Sequence, residues 1–260
     1  MTQTIVLLTD FGTRDAYAGL LKAVITSIYP QANILDLTHG IEPLNIEQGA
    51  CVLYDSYRYY PSGSIFVCVV DPGVGTKRKI IAAKKDGYTF IGPDNGLLSL
   101  VLAGGKSEIR SLENPEFFLK RDHSATFHGR DIMAPAAARL AKNPAAFRQL
   151  GPQIVKIRPL EIPRPEKSKN KIAGAILYFD HYGNAITNIL QTGKWKPASV
   201  SLKGKSLGSL RRTYGEGPQT LCAVINSASR LELALPGGSA FKKYGLKKGD
   251  SVTVSMGHGA

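Results

Sequence analysis

Asp71 and Arg78 bracket the most chemically suggestive stretch of this chain. An apolar run, SIFVCVV, ends in Asp71, a turn of Pro72-Gly73-Val74-Gly75 follows, and Arg78 comes seven residues after the aspartate. Open α/β sheets bind ligands outside the carboxyl ends of their strands, and glycines let the backbone come close to what is bound. Four more stretches set a polar residue beside a glycine at the end of an apolar run: TDFGTRD (9–15), GPDNG (92–96), FHGRD (127–131) and FDHYGN (179–184). Such a set of loops reads as a site under construction. One chemistry open to them is a two-metal hydrolase with Asp10, Asp15, Asp71, Asp94, His128 and Asp131 as ligands. Against it, the chain has no HxH or HExxH spacing, and DPGVG offers no second ligand near Asp71. Asp94 and Asn95 read as turn formers, as do His39 and His181, and Asp131 as the N-cap of a helix over 132–142.

The elements that must position these loops alternate. IVLLTD (5–10), ANILDLT (32–38) and SIFVCVVD (64–71) read as strands. Residues 16–29 read as a helix with Asp15 as N-cap and Pro30 as its stop. A second helix opens on the capping box Asn45-Ile46-Glu47-Gln48 and ends at Pro61-Ser62-Gly63. KIIAAKK and YTFIG form a β-pair around Asp86-Gly87. Strand–helix alternation predicts an α/β N-terminal domain with a mainly parallel sheet, over residues 1–157. RPLEIPRPEKSKNK (158–171), with three prolines, reads as a linker. Residues 172–260 break into short β-like runs split by Gly, Asn and Pro, which predicts a smaller all-β, barrel-like C-terminal domain.

At 260 residues and 43% hydrophobic content the chain can bury a proper core. No apolar run approaches the ~18 residues of a membrane span, so no membrane partner is expected. The opening MTQTIVLLTDFG turns polar too soon for a secretory leader. Cys51, Cys68 and Cys222 lack metal-ligand spacing and sit in apolar sequence, as buried thiols of a reducing, cytoplasmic protein do. The net charge of +13 is uneven: +2 over residues 1–150 and +11 over 151–260. The lysines are scattered and no aromatics interleave with them as in a stacking platform, so solvated basic faces are expected rather than a nucleic-acid partner.

TDFGTRDAYAG, DLTHGIEP, VVDPGVGT, IGPDNGLLS, TFHGRDIMAPAAA, FDHYGNAITNI and NSASRLELA, in that order, resemble the S-adenosyl-L-methionine (SAM) hydroxide adenosyltransferases, relatives of the fluorinases and chlorinases. The resemblance runs from about residue 5 to 255. It implies hydrolysis of SAM to adenosine and methionine without a metal or cofactor, SAM being the substrate. It also implies a homotrimer with sites between subunits. The family's Asp-Arg-His set falls on Asp71, Arg78 and His128. Its ribose-binding aspartate falls on Asp10 and its nucleoside-binding asparagine on Asn184. Asp180, Ser227 and Glu232 match positions at the amino-acid and adenine ends of the substrate, with Leu235 nearby. Ser229 stands where the family usually has glycine.

The chemistry suits these types. Methionine leaves a sulfonium as a neutral thioether, so no acid is needed for the leaving group. The task is to hold water in line with the C5′–S bond, and positioning supplies up to ~7–11 kcal/mol in favourable cases. Two rival readings remain beside the metal one: a chlorinase-like halogenase, and a SAM- or adenosine-binding protein without turnover. The halogenases carry Tyr at the Asp71 position, and fluorinase carries a hydroxyl residue where this chain has Val74 and a long insertion where it has only Asp86-Gly87. An ionised Asp71 would repel halide, so water is the expected nucleophile.

Overall fold

The computed structural model describes residues 3–120, 123–193 and 197–257. The chain separates into two compact units, residues 1–161 and 162–260. In the first unit the elements run β1 (Thr4–Thr9), α1 (Tyr17–Ile28), β2 (Asn33–Thr38), α2 (Ile46–Ser56), β3 (Ile65–Val69), β4 (Ile80–Lys85), β5 (Tyr88–Pro93), the short α3 (Ser99–Leu102), β6 (Glu108–Ser111) and α4 (Ala134–Lys142). They form a six-stranded sheet in the order β2-β1-β3-β5-β4-β6.

The expectation of a mainly parallel sheet holds in part. Strands β2, β1, β3 and β5 are mutually parallel, but β4 is antiparallel to both β5 and β6. The Asp86-Gly87 turn explains this. Both residues have positive φ, 50° and 82°, as a type I′ hairpin requires, and that turn returns the chain beside itself. β1 and β3 are buried along their whole length, which gives the unbroken apolar runs of strands covered on both faces. One side packs on α1 and α4 through Leu21, Ile25, Ala137 and Leu140, the other on α2 and α3 through Leu53 and Val101.

Local signals fared unevenly. Asn45 caps α2, its side chain accepting from Gln48 N–H. The reciprocal half of the capping box is absent, because Gln48 Oε1 accepts from Glu42 N–H instead. That helix stops at Ser56, before Pro61, and passes into a 3-10 turn over Tyr57–Tyr59. Asp15 does not cap α1; Ala16 holds the N-cap position without a side-chain bond. Asp131 is not an N-cap either. It lies within a π-helical turn, Gly129–Met133, that leads into α4.

The second unit runs β7 (Glu166–Lys167), β8 (Lys171–Phe179), β9 (Ala185–Leu190), β10 (Pro197–Leu202), β11 (Lys205–Gly208), β12 (Cys222–Ile225), β13 (Arg230–Ala234), α5 (Ala240–Tyr244) and β14 (Ser251–Met256). Its strands make one antiparallel sheet in the order β11-β10-β14-β8-β9-β13-β12, with β7 beside β8. The sheet curls into a nearly closed barrel around Ile176, Ile189, Val200, Leu231 and Val252. All three cysteines are buried free thiols. Among the described residues no helix is long and apolar enough to cross a membrane.

Candidate functional site

β1 and β3 are parallel neighbours with Thr9 opposite Val69, so both chains leave the sheet at the same edge and deliver Asp10 and Asp71 side by side. Asp10 is tied down by Leu44 N–H, which donates to Oδ2 at 2.8 Å. Burial pushes the Asp10 carboxyl above its ordinary value, and the nearby Asp71 charge adds to that, against the Leu44 hydrogen bond.

The turn after Asp71 folds Arg78 back onto it. Gly75 has φ of 78°, and a Cβ there would lie 2.7 Å from Ala125 O. Only glycine permits that close approach of the 71–76 turn to the 124–128 loop. Arg78 Nε donates to Asp71 Oδ1 at 2.9 Å and to Oδ2 at 3.0 Å, and Nη2 also donates to Oδ2. The same Nη2 reaches His128 Nδ1 at 2.9 Å. The Asp71 and Arg78 side chains are only 5% and 7% exposed, so this is a buried pair whose partners depend on each other.

That geometry decides the histidine's tautomer. A guanidinium has only donors, so Nδ1 must accept and the ring proton of neutral His128 sits on Nε2. Burial lowers the His128 pKa and the adjacent Arg78 charge lowers it further, outweighing the opposite pull of Asp71. The imidazole is therefore neutral at pH 7, with an N–H to offer. His128 is placed by the π-helical turn it precedes, a feature frequent at functional sites. Asp131, fully buried, steadies that turn. Its carboxylate accepts from Arg130 at 2.6 and 2.9 Å and from Ser124 N–H at 2.8 Å. Asp10, Asp71 and His128 open on a cavity of about 170 Å³, walled also by Phe11, Val74 and Phe127 among others. Among the described residues no three His, Cys, Asp or Glu side chains are grouped to hold a metal ion. Of the ligands that the metal reading would use, Asp94 accepts from Arg158 N–H and Asp131 is engaged with Arg130.

The second unit has its own cavity, of about 490 Å³, walled by Asp180, Tyr182, Asn184, Tyr214, Leu235 and the Pro236-Gly237-Gly238 turn. Asp180 is the organiser. Oδ1 accepts from the backbone N–H of Tyr182 and Asn184, and Oδ2 from the Asn184 side chain at 3.0 Å. Glu232, on β13, is buried beneath and accepts from Tyr214 Oη at 3.0 Å. Burial raises the Glu232 pKa, and Tyr214 is pushed up to about 12 by burial and by the Glu232 charge. Ser227 is exposed in the turn between β12 and β13 and does not line this cavity. Ser229, in the same turn, has φ of 60°, so it adopts the left-handed conformation that glycine would favour.

Sequence reasoning thus named four residues that meet in the first unit and four that meet in the second, and it missed Tyr214. The available signal was an aromatic ring in the otherwise polar stretch RRTYGEG. Phe11 and Phe127 were passed over as well, although TDFG and TFHG display them; with Tyr17 they form a triangle of rings 5.4–5.7 Å apart.

Known proteins resemble the chain along nearly all of it. The family profile described as SAM hydroxide adenosyltransferase N-terminal domain matches residues 5–151, and that of the C-terminal domain matches residues 174–253. A protein named (R)-S-adenosyl-L-methionine hydrolase from Thermus thermophilus is 38% identical, over 95% of this chain and 97% of its own. A protein named fluorinase from Nocardia brasiliensis is 27% identical, over 97% of each. The crystal structure of an uncharacterized conserved protein from Thermotoga maritima superposes with a TM-score of 0.87 at 34% identity, over 96% of this chain and 99% of that one.

Proposed function

This chain belongs to the SAM hydroxide adenosyltransferase family, and from that premise we propose how it uses water on its substrate. The protein hydrolyses SAM to adenosine and L-methionine. Asp71, Arg78 and His128 are the catalytic groups. Arg78 Nη1 has no hydrogen-bond partner among the described residues, and His128 Nε2–H is the ring's remaining donor. Both aim at one water, which attacks C5′ in line with the C5′–S bond. The O–C5′ bond forms as the C5′–S pair collapses onto sulfur, and methionine departs as a neutral thioether. Asp71 fixes the guanidinium and takes the proton that the water sheds; such general-base help is typically worth 10²–10⁴-fold.

Asp10 accepts from the ribose diol. Asn184 contacts the nucleoside, and Asp180, Ser227, Glu232 and Leu235 serve the adenine and amino-acid ends. The first unit's cavity is smaller than the roughly 300–1,000 Å³ of ordinary ligand sites, which supports a second wall. We assign that wall to the C-terminal domain of a neighbouring subunit in a homotrimer, with residues 158–171 joining domains 1–157 and 172–260. The relatives' name specifies an (R) form, which at a molecule already marked L describes the sulfonium, and we extend that epimer to this chain. A cytoplasmic setting fits the three buried thiols.

The observation that carries this reading is the single guanidinium joining Asp71 to His128, the two of them lining one cavity. Purified protein given SAM with EDTA should release adenosine and methionine at the rate seen without chelator. Loss of activity restored by a divalent ion would overturn the metal-free mechanism.

A further inference from the structure

His39 is a buried histidine with no part in the chemistry above. It closes the DLTHG stretch after β2, and only 7% of it is exposed. Its ring touches two groups. Nδ1 is 2.8 Å from Thr9 Oγ1. Nε2 lies 3.1 Å from Asp36 Oδ1, an ion-pair distance rather than a well-aligned hydrogen bond. Asp36 is in turn held by Lys22 Nζ at 2.6 Å. A carboxylate facing Nε2 places the ring proton there, so Nδ1 accepts from the Thr9 hydroxyl. Thr9 Oγ1 meanwhile accepts from Phe11 N–H at 3.2 Å, and the His39 carbonyl accepts from Gly12 N–H at 2.7 Å.

Asp10 thus sits inside a clamp. The residue before it bonds to the His39 ring, and the glycine two residues after it bonds to the His39 backbone. We propose that His39 is a positioning residue that holds the Thr9–Gly12 turn so that the Asp10 carboxylate is preset for the substrate's diol. Lys22 and Asp36 fix the ring from behind. The inference rests on the reading of Asp10 as a diol acceptor. It predicts that His39 acts on binding, through Asp10, and hardly on the chemical step.

Two conservative replacements separate positioning from mere filling of space. Asn offers its amide where Nδ1 was and keeps an acceptor for Thr9; Gln reaches only toward the Nε2 position and keeps Asp36. Adenosine affinity is measured by calorimetry, and kcat and KM with SAM, on the full-length protein and its His39→Ala, His39→Asn, His39→Gln, Asp10→Ala and Asp10→Ala/His39→Ala variants. We expect His39→Ala and His39→Gln to weaken adenosine binding by about tenfold, the loss of one well-placed hydrogen bond. His39→Asn should stay within about threefold of wild type, kcat should hold within about threefold in the three His39 single variants, and the double variant should bind no worse than Asp10→Ala, because coupled residues are not additive. Equal losses in the Asn and Gln variants, or additive losses in the double variant, would overturn the proposal; if His39→Ala fails to fold, the Asn–Gln contrast still decides. Wild-type affinity in Asp10→Ala would bring down the diol reading and this inference with it, whereas weak binding in Asp10→Ala beside intact binding in every His39 variant would remove only this inference.

Discussion

The two units place their polar groups in opposite ways. In the first, Arg78 bonds to both Asp71 and His128 through side chains, and Asp71 and His128 line a cavity of about 170 Å³. In the second, Asp180 is bonded to its own turn, Glu232 lies beneath the wall, and the space is about 490 Å³. A small cavity with mutually locked charges suits a single water whose orientation must not drift. A large one walled by Tyr182, Tyr214 and Leu235 suits a bulky, largely flat ligand part. On the proposed reading turnover rests on Asp71, Arg78 and His128 of the first unit, while Asp10 beside them and the groups of the second unit serve affinity, and substitutions should divide along that line.

The largest effect should come from Asp71→Asn, which keeps the shape but removes the charge and the base. We expect kcat to fall by about 10³-fold, within the usual range for general-base loss. Wild type should make no 5′-chloro- or 5′-fluoro-5′-deoxyadenosine in high halide, while Asp71→Asn frees Arg78 as an unpaired cation and should yield traces of the chloro product; mass detection of the nucleosides checks both. A halogenated nucleoside as the main wild-type product would contradict the assignment to water.

Next in size is Arg78→Ala, which removes the guanidinium joining the set. Loss of one preorganised donor costs about 10²–10³ in kcat, and KM should change little. A change confined to KM would move Arg78 to substrate binding.

His128 gives a pH signature. Its pKa is lowered by burial and by Arg78 from the ordinary 6.5, so the neutral ring is the native form. Its contribution to stability is complete above 6.5 and is lost as pH falls through the lower folded value. The rate should therefore be level above 6.5 and fall only on the acid side, with His128→Ala changing the position of that limb. A limb centred above 6.5 in wild type would show an imidazole stabilised in its charged form, against the Arg78 contact.

The smallest kinetic effects belong to the second unit. Asn184→Ala should raise KM by about tenfold, one hydrogen bond's worth, with kcat near wild type. At SAM concentrations well below KM, where Asn184→Ala turns over about tenfold slower, mixing it with an inactive Asp71→Ala chain should raise turnover above that of Asn184→Ala alone, since some interfaces then join one intact wall of each kind. No rescue after verified subunit exchange would place each site within one chain.

Much of this was legible from residue order. Strand–helix alternation and the apolar runs before Asp10 and Asp71 identified the sheet and the edge where those two residues emerge, because fully buried strands cannot conceal their composition. Strand direction was less legible. An apolar run carries no sign, and only the φ-positive Asp86-Gly87 turn announced that β4 and β5 are antiparallel. Asp131 looked like a cap because a π-helical turn gives no periodic signal, and its buried pairing with Arg130 depends on the 124–131 loop folding over it. Tyr214 was hidden for another reason: its partner Glu232 is 18 residues away, on a strand, and no local pattern links them.

The central claim, that an oriented water attacks C5′, is tested most directly by turning over SAM in water enriched in oxygen-18. The account predicts one labelled oxygen in the 5′-hydroxyl of adenosine and none in methionine. Adenosine formed without label at the 5′-oxygen would contradict it.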